Sequence, residues 1–417
     1  MIYGINDKPP LKENLLFSLQ MLLSIFVATA LIANICGVNM SAALIGAGLS
    51  TLVYQVITKF QSPMFLSNSG AFVSPVLIAL SLGGYTGVAI GGLVTAIVYG
   101  LFGWLFTKIP LSKVYEIFPK AIIGAVTAVI GIGLMGFIPT YVQVNGETNQ
   151  WGIIVAVITA LATALIAHYA KGKAKLLPFL LGTLVGYGVS VILTITGICN
   201  LIDFSVFNGI GLFYKPEFAF TKFAPISMTA VITIVITYIA YTISAFMENI
   251  SDHYTLSNII GVDLFENPSF SRLFVGTGVA NIVGSGVGGL GICTYGEGIA
   301  AIGASKVSSV IVTSGAAIML IILGLLAPVQ AFIASVPACV FGGCACILYG
   351  FIAASGIKVL QEVDLNKQKN LMMVSMILSF GLGGLVIGGA TLSFSGTALA
   401  LIIGVILNLI LKEGVVE

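Results

Sequence analysis

The stretch GSGVGGLGICTYGEGIAAIG, residues 284–303, decides the fold. It is apolar enough to lie within a membrane, but small and polar residues interrupt it and it holds one acid, Glu297. A second stretch, SPMFLSNSGAFVSPV at 62–76, reads the same way, as a hydrophobic span broken by small and polar residues and without a charge. Glycines alone would favour a plainer reading, flexible loops or close-packing surfaces, because glycine is common in membrane helices. The run GSGVGG also matches G-x-G-x-x-G, but no strand-turn-helix context surrounds it and no acid follows about twenty positions on, so it is not a dinucleotide site.

The composition fixes the solvent in which these segments sit. Of 417 residues, 58% are hydrophobic and 8% charged, with 50 glycines and a mean hydropathy of +1.11. A soluble domain carries about 25% charged residues, so this is an integral membrane protein. Seventeen basic residues against fifteen acidic, net +2, leave no field to hold nucleic acid, and no nucleic-acid partner is expected. The six cysteines fit neither a disulfide framework nor a zinc spacing, since Cys344 and Cys346 lie one residue apart in an apolar run. No cofactor, metal or catalytic residue is expected, and the polar start MIYGINDKPPLKENLL predicts no cleaved signal.

A bilayer core of about 30 Å takes about 20 residues per helix. On that measure the chain divides into roughly fourteen spans, near 15–36, 41–58, 63–80, 86–107, 119–138, 151–170, 176–195, 225–249, 271–286, 296–307, 308–328, 331–353, 370–388 and 394–412. Cytoplasmic loops concentrate Lys and Arg. With the N-terminus inside, only Lys215 and Lys222 fall outside, which predicts an even number of spans and two cytoplasmic termini. The broken segments occupy the third span of the first seven and the third of the second seven. Seven is odd, so the halves enter with opposite topology. The expected fold is an all-α polytopic membrane protein of fourteen transmembrane segments, a 7+7 inverted repeat with short extended segments in spans 3 and 10. In such a repeat the substrate site lies near the midplane where two broken helices meet.

Of the fifteen acids, Glu248, Asp252 and Glu297 are the ones placed at membrane depth. An ionisable group there costs a few kcal/mol or more and by default faces a cavity. Glu248 and Asp252 are four apart and share a face of a continuing helix, although Asp252 also reads as a solvated loop acid. Glu297 begins the helical half of its broken segment, beside backbone N–H groups at Gly296; the matching segment offers backbone at Gly70 and Ala71. Two or more carboxylates with no facing Lys or Arg describe a cradle for a planar, uncharged molecule bearing donors and acceptors. Tyr295 and Tyr349 could offer flat faces, though belt or core tyrosines are at least as common. His253 reads as interfacial or packing.

At these residues the chain resembles the nucleobase/ascorbate transporter family, nucleobase:cation symporter-2, in its bacterial uracil/xanthine permease branch. The resemblance runs over almost the whole chain, through KPPLKENLLFSLQ, SGAFVSPV, ENISDHYTLSN, DLFENPSFSR, TYGEGIAAIGASK and FGGCACILYGFIAASGIKVL. It implies a core domain of spans 1–4 and 8–11 (residues 1–107 and 225–328) and a gate domain of spans 5–7 and 12–14 (108–224 and 329–417). It also implies proton-coupled nucleobase import in the cell inner membrane, and a homodimer through the gate domains. By position it assigns substrate binding to Glu248, Glu297, Gly296, Tyr295, Gly70, Ala28 and Tyr349, and proton coupling to Asp252, Glu248 and Glu297. Three departures bear on substrate identity: Asp252 stands where histidine is common, Gly70 replaces an aromatic, and Gly298, Ala300, Ser305 and Lys306 depart from the signature after Glu297. Uracil is the expected substrate; xanthine, uric acid or another purine, and a channel or anion exchanger of the same architecture, are the alternatives.

Overall fold

The structure is a computed structural model that describes residues 1–108, 116, 119–136, 138–144, 147–171, 174, 177–383, 385–389 and 392–411. Lys113, Lys173, Lys175 and Lys412 of the charge pattern lie outside them.

The chain is built almost wholly of helices. The first half holds α1 (Leu11–Cys36), α2 (Met40–Ile57), α3 (Val73–Leu105), α4 (Lys120–Met135), α5 (Gln150–Tyr169) and α6 (Pro178–Ile195). The second holds α7 (Met228–Ile260), α8 (Phe270–Val283), α9 (Gly296–Ser305), α10 (Val310–Leu325), α11 (Ala327–Ser335), α12 (Ala338–Leu360), α13 (Gln368–Leu382) and α14 (Gly396–Ile410). Among the described residues eight helices are long and apolar enough to cross a membrane. Local chemistry sets their ends. Asn39 accepts the Ala42 N–H at 3.0 Å to start α2, and α1 stops at Gly37, whose φ of 64° suits a residue without a Cβ.

These helices do not map one to one on the segments read from sequence. The helical parts of the expected third and fourth spans follow one another in α3, which divides into two helices at the non-helical Gly83 and Gly84, between the expected limits 80 and 86; Gly84 takes φ 56°, ψ −148°. Only glycine adopts that conformation readily. The expected span 331–353 is displaced: Pro337 lacks the N–H needed to continue a helix, so α11 ends before it and α12 begins at Ala338. The eighth span is longer than 225–249, because residues 250–260 stay helical until Gly261 caps α7 at φ 73°.

Close helix contacts use missing side chains, as expected where lipid supplies no hydrophobic drive between helices. A Cβ on Gly131 of α4 would lie 2.2 Å from the Ala353 nitrogen of α12, and one on Gly356 would lie 2.3 Å from the Ala128 nitrogen. Gly46 on α2 meets Gly288 in the same manner, 2.9 Å from its nitrogen. These contacts hold α4 against α12, and α2 against the π-turn (Gly284–Gly288) that follows α8.

Both interrupted stretches contain a short strand, β1 (Leu66–Asn68) and β2 (Ile292–Thr294), paired antiparallel with Leu66 opposite Thr294 and Asn68 opposite Ile292. Every residue of the two strands is buried.

Candidate functional site

Two strands buried at membrane depth have edges that water cannot satisfy, and an unmet backbone group there costs several kcal/mol. Side chains close both edges. On β2, Asn281 of α8 mimics a third strand: its Oδ1 accepts the Ile292 N–H at 2.8 Å and its Nδ2 donates to the Ile292 carbonyl at 2.7 Å. On β1, Thr51 of α2 does likewise, accepting the Leu66 N–H at 3.1 Å and donating to the Leu66 carbonyl at 2.6 Å. Ser67 bonds Thr29 of α1 at 2.6 Å. The extended pair is thereby fixed between α1, α2 and α8, and each strand delivers a helix start to the same region.

That region is a cavity of about 420 Å³. Glu248 and Asp252 enter it from successive turns of α7, and Glu297 from the first turn of α9. Tyr295, Gly296 and Gly70 also line it. The Asp252 carboxylate accepts a bond of 2.5 Å from the Thr294 hydroxyl, which ties α7 to the end of β2. The first N–H groups of a helix have no intrahelical acceptor, so the start of α9 presents donors beside its own Glu297. The positive end of its dipole favours negative charge at the same place. On the other broken segment Ser69 and Gly70 meet the cavity, while the Ala71 N–H is taken by Ser69 Oγ at 3.2 Å.

The facing wall comes from α4 and α12 through Ile123, Thr127, Leu348, Phe351, Ile352 and Ser355. No lysine or arginine is among the lining residues described. Three carboxylates, helix-start amides and a mostly apolar opposite wall can bind a flat, neutral ligand by hydrogen bonds on one edge and van der Waals contact on its faces.

The structure therefore brings Glu248, Asp252, Glu297, Gly296, Tyr295 and Gly70 to one cavity. Ala28 and Tyr349 do not line it. Ala28 is buried on α1 between Ser24 and Ile32, which do line the cavity and lie four residues to either side, so it shares their face. Tyr349 is fully buried in α12, and its neighbours Leu348 and Ile352 reach the cavity instead. Asp252 is a helical residue, not a loop acid, because α7 continues past it.

His253 is not interfacial. It is fully buried, with Nδ1 2.8 Å from the Asn249 carbonyl and Nε2 2.8 Å from the Tyr54 hydroxyl, which also bonds Ser62 at 2.8 Å. Sequence reasoning passed over Thr294, although it is the first residue of the quoted TYGEGIAAIGASK. Asn281, Thr51, Thr127 and Ser355 carry no local signal of their positions.

A bundle of membrane helices around two paired broken segments and an acid-lined cavity is the class this architecture defines. The solved transmembrane domain of a cyanobacterium bicarbonate transporter, BicA, has the same fold, with a TM-score of 0.63 at 16% identity over 97% of this chain and 100% of that one. The sequence model of the Permease family matches residues 12–388, and the chain belongs to that family. It is similar to the uracil permease of Bacillus caldolyticus, 33% identical over 98% of this chain and 94% of the relative. The uracil permease of Escherichia coli K12 gives the same identity and the same shares. The protein is thus a multi-pass membrane permease rather than an enzyme.

Proposed function

We infer that the cavity binds a nucleobase, uracil first among them, and that the protein imports it with a proton by alternating access. The observation that carries this reading is the convergence of Glu248, Asp252 and Glu297 on one cavity without a lining lysine or arginine. The ring N–H groups donate to Glu248 and Glu297, and the ring carbonyls accept from the backbone at Gly296 and Gly70. Tyr295 stacks on the ring, Ala28 leaves room behind it, and Tyr349 supports the α12 wall. An analogue lacking a donor leaves a desolvated carboxylate unpaired, so discrimination is strong. A proton shared among Asp252, Glu248 and Glu297 offsets the cost of closing three acids into one site. The name that both similar relatives bear, uracil permease, supports the substrate.

The architecture proposed with it is the 7+7 inverted repeat, supported by β1 and β2 pairing antiparallel from the third and tenth spans. The core comprises residues 1–107 and 225–328 and the gate 108–224 and 329–417; α2 packing on α10, α3 on α8, and α4 on α12 supports this division. The cavity then lies between core helices α7 and α9 and gate helices α4 and α12. Both termini are placed in the cytoplasm of a bacterial inner membrane, and a homodimer forms through the gate.

A second reading, a purine permease, is favoured by Gly70, which offers no side-chain wall. A bicarbonate-type anion is disfavoured by the carboxylates. The test is uptake of radiolabelled uracil into proteoliposomes under an imposed pH gradient, with xanthine and uric acid as competitors. Uptake indifferent to the gradient removes proton coupling, and stronger competition by a purine than by unlabelled uracil transfers the assignment.

A further inference from the structure

A separate groove of about 360 Å³ lies beyond the site, lined by Gly70, Ser74, Ile130, Leu134 and Tyr241 among others. It shares one lining residue, Gly70, with the cavity. The two spaces also lie along one face of α4. Ile123 and Thr127 line the cavity, Ile130 and Leu134 the groove, and the spacing of four, three and four residues keeps all of them on one helical stripe. Going from Lys120 toward Met135 along α4, a molecule would leave the cavity and enter the groove.

What separates them is thin. The three side-chain atoms nearest to where a Cβ on Gly70 would sit are the δ-methyls of Ile352 at 3.4 Å, Leu134 at 3.8 Å and Ile32 at 3.9 Å. They come from α12, α4 and α1, so three elements converge on a residue that contributes no side chain. All three are aliphatic, and a ring of apolar groups excludes water and polar solutes by dewetting rather than by a bond.

We propose that Gly70 with Ile32, Leu134 and Ile352 is the barrier that closes the cavity toward the groove, one side-chain layer thick, and that the substrate's route crosses the membrane at this point. It rests on the transport reading of the cavity. The missing side chain at Gly70 sets the thickness: the seal depends on methyl groups that withdraw when α12 or α4 shifts. An alanine there would meet Ile352 at ordinary contact distance, so it adds to the seal without strain.

The test uses the full chain purified and reconstituted in liposomes, with Leu134→Ala, Ile352→Ala, the double variant, and the double variant carrying Gly70→Ala. Passive entry of urea, followed by stopped-flow light scattering, reads the barrier whatever the transported substrate is. The double variant is expected to raise urea permeability about tenfold over wild type, as removal of a dewetting constriction does. Gly70→Ala is expected to reverse much of that rise, and gradient-driven uracil accumulation is expected to collapse in Leu134→Ala, whose residue does not line the cavity, while uracil still raises that variant's melting temperature. Urea entry at the wild-type rate in monodisperse double variant overturns the barrier. If the double variant does not fold, Leu134→Ala alone gives the same reading, with a smaller rise expected and an unchanged rate overturning it. A leak in the double variant together with no uracil binding or uptake by wild type keeps the barrier and removes the substrate assignment.

Discussion

Thr294 donates its hydroxyl to Asp252 Oδ2 at 2.5 Å, joining the end of β2 to the second acid of α7. The bond gives one of three clustered carboxylates a fixed partner and orientation. Thr294→Val keeps the shape and removes the donor, leaving a half-buried carboxylate short of a bond at a cost of about 1–3 kcal/mol. Uracil uptake is expected to fall about tenfold or more in kcat/KM, and Thr294→Ser to retain most of it. Initial-rate uptake across substrate concentrations checks this; equal loss in both variants would point to packing instead of the hydroxyl.

Glu248 and Glu297 enter the cavity from different helices, α7 and α9. Replacing either with glutamine keeps the volume but turns one acceptor into a donor facing a ring N–H. Each variant is expected to lose at least about 2 kcal/mol of binding, roughly thirtyfold in Kd. Isothermal titration or the uracil-dependent rise in melting temperature measures it, and unchanged binding in Glu297→Gln removes that residue from the site.

Away from the membrane, Lys120 at the start of α4 pairs with Glu362 just past the end of α12, 2.6 Å apart and both exposed. The Lys120 ammonium, by its hydrogen bond and its charge, holds the Glu362 carboxyl below the ordinary carboxylate range. A lowered folded-state value means that this pair's contribution is present above the unfolded value and is lost only as pH falls through the folded one. It is therefore constant between about pH 5 and 8. Glu362→Gln is expected to leave the shape of the uptake pH profile unchanged in that window, so any pH dependence there belongs to the cavity acids. A displaced midpoint in Glu362→Gln would contradict this.

Tyr54 bridges His253 and Ser62 in a buried cluster that ties α7 to α2 and to the extended segment before β1. Tyr54→Phe strands a buried ring nitrogen, at about 1–3 kcal/mol. A lower melting temperature with uracil affinity within about twofold of wild type is the expected pair of results, since Tyr54 does not line the cavity. Loss of affinity without loss of stability would give the cluster a functional role.

Much of this was written in the composition. An apolar chain with few charges must satisfy its backbone internally, which forces helices, and the scarcity of acids at depth singles out Glu248, Asp252 and Glu297. The two interrupted stretches could be read because small residues in an apolar run break helical periodicity locally. Helix ends were legible where one residue closes an apolar run, as at Gly37, and misread where the helix outlasts the run, as before Gly261, or where a proline lies inside it, as at Pro337.

The sequence by itself determined the solvent, the helical class, the broken segments and the acids, because each follows from local chemistry or from the cost of burying a charge. Only the tertiary structure decided that Thr51 and Asn281 close the strand edges, that Asp252 meets Thr294, and that Leu134, Ile352 and Ile32 converge on Gly70. Those relationships join residues from different helices, and apolar helices of similar composition carry no local signal of which faces will meet. Packing at contact distance makes that choice, and it placed Leu348 and Ile352, not Tyr349, on the cavity wall.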